Sequence, residues 1–352
     1  MFGKVLTASA LALGVMLSLT ACDPPMPPEM VNELAERTFI CGDGPVSVSV
    51  PSSIDGQQEN WSSVLTESCP NMPLKVVGEG KPADIVLSAN APTAENCNPF
   101  ATSPFAIDAA ELVFMNSEIS TLYLDGSAIA GILSGKITKW NDPALAALNP
   151  DSTLPDSAIT LDPAATQAQI DSLTSWVSRL TGSSVKLSAL KVDNTVGGQD
   201  RLYALAEGSF AIANFADATA AASSTPTIVT GKDLANDIVL ADSGAVKSAS
   251  SQLTAKATAN EVSVALDPSL KPAPPAGSDT ALAPYQAIFP INMYLCGTDN
   301  LNTRAMARYL LRQDTQGNIA SGTAVSLPDA IRFKAIDVVA VGLPTPKPTA
   351  AQ

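Results

Sequence analysis

Ile129-Ala-Gly-Ile-Leu-Ser-Gly-Lys-Ile-Thr-Lys-Trp-Asn-Asp-Pro-Ala-Leu-Ala-Ala-Leu-Asn-Pro150 lies near the middle of the chain. Its first residues continue a short helix from Ser127, with Ile129 and Leu133 at i, i+4 on one face and Gly135 as the stop. Ser134-Gly-Lys136 looks like a fragment of a phosphate loop. The glycine spacing of a Walker loop is missing before it, so no nucleotide site is expected.

Strand and helix signals alternate on both sides of this stretch. Upstream, Val46–Val50 alternates with period two and reads as a half-buried strand, and residues 60–67 read as a helix ending near Cys69-Pro70. Leu74–Val77, Asp84–Ser88 and Leu112–Met115 are short apolar strands. Downstream, Thr166–Leu180 is the clearest helix: Ile170, Leu173, Val177 and Leu180 share a face and Gly182 follows. Phe210–Asn214 and Pro290–Leu295 read as strands, and Asn300–Arg312 as a helix. Arg304, Arg308 and Arg312 stand at i, i+4, i+8 in that helix, a basic stripe expected on a solvated face. The small-residue run 216–226 and the Pro-rich 271–278 read as loops. The alternation predicts an α/β architecture with two sheets.

Composition bounds the function. The chain has 352 residues, which suggests two domain-sized units, and 46% hydrophobic residues, enough to bury real cores. It has no histidine, which removes Ser-His and Cys-His catalytic units and every histidine metal site. Twenty basic residues against 34 acidic give a net charge of −14, which argues against nucleic acid. Acid pairs such as Asp151 and Asp156 sit in turn-like sequence, and no Ser-x-x-Lys occurs in a strand-turn-helix context. No enzyme activity and no cofactor are therefore expected.

Residues 1–21 carry a single charge, Lys4, followed by an apolar run too short for a confident membrane span, and they read as a signal peptide. The run ends in Leu19-Thr20-Ala21-Cys22, which resembles a bacterial lipobox with Cys22 as the lipidated residue. Residues 22–31 are Pro-rich and read as a stiff tether, and residues 344–352 as a disordered tail. Cys41, Cys69, Cys97 and Cys296 remain, an even number suited to an oxidising compartment, with three possible connectivities. Without histidine or a Cys-x-x-Cys pair, a metal site is not expected.

Three ordered blocks carry a family resemblance. Residues 129–150 resemble the corresponding stretch of the phosphate-binding lipoproteins that feed phosphate ABC importers. Gly208–Asp217 resembles that family's Gly-Ala-Ile-Gly-Tyr strand, and Ser326–Ala330 its C-terminal Pro-Leu-Pro-Asp-Ala-Val segment. Phe289–Tyr294 resembles its returning hinge strand. The resemblance implies a two-lobed clamp of the type II periplasmic-binding-protein fold, each lobe a doubly wound sheet. It places lobe one at 32–115 plus 290–343 and lobe two at 116–289. It puts Cys97 with Cys296, and Cys41 with Cys69, in the first lobe, and so implies those two disulfides. It also implies a lipid-anchored protein on the outer face of the cytoplasmic membrane, partnered by an integral membrane protein and binding phosphate or another small solute. The alternative is an accessory subunit of an envelope complex that keeps the clamp and has lost the phosphate site.

The resemblance places Ser52, Ser53, Asn90 and Thr166 as the candidate ligand groups. It also marks departures. The first-lobe loop, 51–56, lacks the family's Gly-Ala-Gly pattern, and Asn90 stands where the family has an aspartate that accepts a phosphate proton. The second-lobe loop, 160–167, has neither the family's arginine nor its Ser-Gly-Thr. Asp162 is expected there as a helix N-cap and Pro163 as the first helical residue, each removing donors that an anion needs.

Overall fold

Seventeen consecutive residues, Pro99–Met115, form one strand that changes neighbour half-way along. Its first part pairs antiparallel with Ile288–Cys296, from Cys296 opposite Pro99 to Ile288 opposite Ala109. From Ala110 opposite Asn214 to Met115 opposite Ser209 it pairs with another strand instead. Nearly every residue from Ala101 to Phe114 is buried, because elements cover both faces, so the strand reads as an apolar run rather than an alternation. The sequence signal at Leu112–Met115 marks only its last four residues.

This is a computed structural model, and it describes residue 36 and residues 38–54, 56–274, 278–321 and 324–344. The signal-peptide, Cys22 and tether readings, and the tail from 345 onward, fall outside the described residues. Phe39–Thr345 form one unit. The strands are β1 (Val46–Ser49), β2 (Leu74–Val77), β3 (Ile85–Ser88), β4 (Pro99–Met115), β5 (Tyr123–Asp125), β6 (Thr160–Leu161), β7 (Ala164–Ala165), β8 (Lys191–Val192), β9 (Ser209–Asn214), β10 (Thr227–Val229), β11 (Ile238–Val239), β12 (Leu253–Ala257), β13 (Val262–Leu266), β14 (Ile288–Cys296) and β15 (Val325–Ser326). The helices are α1 (Gln58–Ser68), α2 (Gly126–Leu133), α3 (Pro143–Leu148), α4 (Gln167–Thr181), α5 (Gln199–Tyr203), α6 (Phe215–Ala220), α7 (Ser243–Ser250), α8 (Leu301–Leu310), α9 (Gln313–Ser321) and α10 (Asp329–Val339).

The main sheet runs β2-β1-β3-β14-β4-β9-β6, with β15 added beside β4. β1, β2 and β3 are parallel, with α1 carrying the crossover from β1 to β2 and a loop that from β2 to β3, whereas β14 and β9 run antiparallel to β4. A smaller sheet, β11-β10-β5, stands apart. The expected α/β class and the two multistranded sheets are present.

The stretch 129–150 folds as its spacing suggests. α2 is capped by Asp125, which accepts from Ala128 N–H at 2.7 Å, and Gly135 turns the chain out at φ +75°. Gly131 faces Ile137 so closely that a β-carbon there would meet Ile137 Cδ1 at 2.5 Å. Trp140 is fully buried, with Phe114 and Phe210 tilted against it at 5.9 and 6.2 Å.

Two expectations are corrected. Part of the supposed loop 216–226 is helical, since α6 spans Phe215–Ala220 and buries Phe215, Ala216 and Ala218. The arginine stripe of α8 is not solvated: Arg304, Arg308 and Arg312 are all buried, at 3–6% exposure. Arg304 donates to Asp299 and to the Val338 and Val339 carbonyls at the end of α10. Arg312 pairs with Asp314 and stacks 3.8 Å over Phe39. Spacing alone could not reveal these partners, which come from other elements. Both implied disulfides are present, Cys41–Cys69 and Cys97–Cys296, with Cα atoms 5.3 and 5.1 Å apart.

Candidate functional site

The C-terminal ends of β1, β2 and β3 and the middle of β4 meet the N-terminus of α4 around one small cavity. Its wall includes Pro51, Ser52 and Ser53 after β1, Ser88 and Asn90 at the end of β3, and Asp108 on β4. Thr166 before α4, Asn194 and Gly197 after β8, and Asn214 at the end of β9 complete the polar part, while Phe289 and Ile291 on β14 supply an apolar side. All four candidate residues, Ser52, Ser53, Asn90 and Thr166, therefore line the same space. Its volume is about 20 Å³, room for about one water.

α4 starts later than expected. Its N-cap is Thr166, whose hydroxyl accepts from Gln169 N–H at 3.2 Å while Gln169 Oε1 accepts from Thr166 N–H at 2.9 Å, a complete capping box. Asp162 is not the cap and Pro163 is not in the helix, because Ala164–Ala165 first pair as β7 with β8. Asp162 instead takes Arg201 Nε at 3.0 Å. Arg201, 39 positions downstream, is the cation held against this loop, and reading the loop sequence alone missed it. Its other donors go to the Ala164 and Ile212 carbonyls at 2.8 Å.

A helix N-terminus holds an anion through backbone N–H groups left without partners. In α4 all of these are occupied by side chains. The capping box takes Thr166 and Gln169, Asn194 Oδ1 accepts from Gln167 N–H at 2.9 Å, and Asn90 Oδ1 accepts from Ala168 N–H at 3.2 Å. The Asn90 bond joins the β3 end directly to α4. A second link joins the β1 loop to α6: Ser52 Oγ donates to Asp217 Oδ2 at 3.2 Å. Asp217 also accepts from Gly198 N–H at 3.0 Å and from Asn214 Nδ2 at 3.3 Å. Asn214 in turn accepts from Gln169 Nε2 at 2.8 Å.

The charges around the cavity are acidic. Asp108 is fully buried, and burial, reinforced by the Asp217 charge, pushes its carboxyl up to about 7. Burial likewise raises Asp217 and raises Glu79 at the cleft mouth, where repulsion from Asp217 adds to it. Behind Asp108 on the same strand, burial pushes Glu111 up to about 9, with the Asp108 charge adding to it. Asp108 Oδ1 accepts from Ala109 and Ala216 N–H, and the Ser53 hydroxyl also bonds the carboxyl and works to lower it, while Oδ2 itself has no partner in hydrogen-bond geometry among the described residues. Among the described residues no lysine or arginine lines the cavity. These acids were legible as Asp108 and Glu111 interrupting an otherwise apolar run, a signal the sequence reading passed over. Among the described residues no cluster of histidine, cysteine or acids has metal-ligand geometry.

No known family model matches the chain. Its likeness to known proteins comes from segments and from the fold. Phosphate-binding protein PstS 3 of Mycobacterium tuberculosis is 30% identical over 115 residues, 28% of this chain and 31% of that protein. Phosphate-binding protein PstS of Pasteurella multocida is 58% identical over 38 residues, 11% of each chain. The chain thus matches less than a third of the length of these relatives. Among solved structures, the periplasmic phosphate-binding protein PfluDING, bound with phosphate, superposes with TM-score 0.53 at 14% identity, over 82% of this chain and 92% of that one. The fold is phosphate-binding-protein-like. A phosphate ABC transporter substrate-binding protein of Clostridium perfringens agrees, with TM-score 0.50, 14% identity, and 81% and 100% coverage. The phosphate-binding-protein-like chain is thus a two-lobed α/β protein, and its cavity lies where strand ends and a helix N-terminus converge.

Proposed function

We propose that this chain is an extracytoplasmic solute-binding lipoprotein of the clamp type used by phosphate importers, with a cleft that takes a solute other than the phosphate dianion. Lobe one is 32–115 plus 290–343 and lobe two 116–289, a division supported by the change of partner along β4 and by β14 returning from Ile288. Cys22 carries the lipid, and an integral membrane permease is the partner, reached from the outer face of the membrane. The relatives' names and the lipobox sequence support this placement.

The carrying observation is the occupancy of the α4 N-terminus by Thr166, Gln169, Asn194 and Asn90. A phosphate would have to displace these acceptors and then sit among carboxyl groups. At an intermediate dielectric, each pair of like unit charges about 4 Å apart costs roughly 4 kcal/mol. A second reading, an accessory subunit whose cleft stays shut, is supported by a cavity with room for a single water.

Thermal unfolding of the purified protein with a panel of solutes tests the proposal. A solute at 100 times its dissociation constant adds about 2.7 kcal/mol and raises the midpoint clearly. The expected result is a rise with some solute and none with phosphate or sulfate. A rise with phosphate alone overturns the proposal, and no rise with any solute favours the accessory subunit.

A further inference from the structure

The polar wall of the cleft is short of cations and rich in acceptors. Glu79 and Asp108 line it, and Asp217 stands behind it on Ser52 and Gly198. Carboxylates only accept, and a buried one without a donor is costly. Asp108 is fully buried and lines the cavity; two backbone N–H groups serve its Oδ1 and the Ser53 hydroxyl also bonds the carboxyl, but Oδ2 has no partner in hydrogen-bond geometry among the described residues. Arg201, the cation acting on Asp217, has its donors committed to Asp162 and two carbonyls. Beside the acids the wall is apolar: Phe289 is the cross-strand neighbour of Asp108, and Ile291 and Val196 also line the cavity.

We infer that the cleft is a site for a small protonated amine, whose ammonium group answers Asp108 and Glu79 and whose carbon chain lies against Val196, Phe289 and Ile291. The inference names the ligand class of the cleft read above as a solute site, and it rests on that reading. The size agrees: the closed cavity admits one group about as large as a water, and an ammonium head is of that size. A longer amine requires the Ser52–Asp217 and Asn90–Ala168 bonds to open, two of the links across the cleft. The chemistry carries a signature. Asp108 is held up by burial and faces Asp217 and Glu111, with Glu79 at the mouth and Arg201 acting on Asp217. An arriving cation favours the ionised carboxylates, so protons leave as the amine enters.

Isothermal titration of the full-length protein at pH 7 tests this. The probes are propylamine hydrochloride and ammonium chloride, with 1-propanol as the uncharged analogue, and the buffers differ in ionisation enthalpy. We expect saturable binding of a cation and none of propanol. Buffer-dependent heat should report net proton release. Affinity should fall at least tenfold in Asp108→Asn. Glu79→Gln, at the exposed mouth, should weaken binding in the same direction and serves if Asp108→Asn fails to fold. Binding of propanol or of a neutral panel solute, with no response to either cation, overturns the amine assignment and leaves the cleft a solute site. Unchanged affinity in both variants also overturns it. Silence from every probe and every panel solute removes the solute reading as well.

Discussion

Asp108 is held in place by two backbone N–H groups on one oxygen and by burial on all sides. Its carboxyl titrates well above the unfolded value, near 7 instead of 3.8. The folded state therefore holds a proton that the unfolded state has lost. Asp108's contribution to stability is complete below about pH 4 and drains away as pH rises to about 7, by up to roughly 4 kcal/mol. Glu79, Asp217 and Glu111 are raised too and act in the same sense, Glu111 up to about pH 9. Asp299 is lowered by its hydrogen bond to Arg304, so its contribution is lost instead as pH falls through its folded value. The expected melting midpoint is highest near pH 5 and declines toward pH 9. Asp108→Asn should flatten that decline and melt higher than the native protein at pH 8; an unchanged slope in a pH series of melts contradicts this. The residue scale was only partly legible in sequence. Ser52, Ser53, Asn90 and Thr166 do converge, because they follow β1 and β3 and cap α4, whose ends meet at the cavity. Asp217 and Arg201 belong to the same network through bonds spanning 165 and 39 positions, which no local reading reaches.

α4 shows why element boundaries decide chemistry. The periodicity at Ile170, Leu173 and Val177 located the helix, but the donors that matter depend on its first residue. A bridge between Ala164–Ala165 and Lys191–Val192 moves that start from Pro163 to Gln167. Thr166→Ala should cost about 1 kcal/mol through loss of the cap, and more if Gln169, which is buried, loses its partner. Urea unfolding measures it; no loss would mean that the cap is not formed. In α2, Gly131→Ala should destabilise by roughly 1–3 kcal/mol, since the added methyl meets the Ile137 side chain. Ile137→Ala in the same chain should recover part of that loss, and simple additivity in the double-mutant cycle would refute the contact. α8 gives the opposite lesson. The spacing of Arg304, Arg308 and Arg312 was plain, while their burial follows from Phe39 and the carbonyl end of α10 arriving from elsewhere, with Asp299 just ahead of the helix as Arg304's partner. Arg304→Met, keeping the bulk and removing the charge, leaves the Val338 carbonyl without its guanidinium donor. A loss of roughly 1–3 kcal/mol is expected in urea unfolding.

On the scale of the whole molecule, β4 joins what the sequence separates. Its N-terminal half belongs with β14 and its C-terminal half with β9, so a single strand serves both parts of the main sheet. The α/β class was legible from alternating elements, and the ordered blocks narrowed it to a clamp. The length of β4 was not, because burial on both faces erases the period-two signal. The Cys97–Cys296 bridge ties the start of β4 to the end of β14 across 199 positions. Replacing both cysteines with alanine should cost roughly 2–5 kcal/mol in urea unfolding. The central claim is that this phosphate-binding-protein-like cleft has its anion-holding N–H groups occupied by its own side chains and its wall lined with acids. Equilibrium dialysis of the native protein against radiolabelled phosphate at pH 8, where the dianion dominates, addresses it directly. The account predicts no saturable uptake up to millimolar phosphate. Stoichiometric uptake at micromolar phosphate would contradict it.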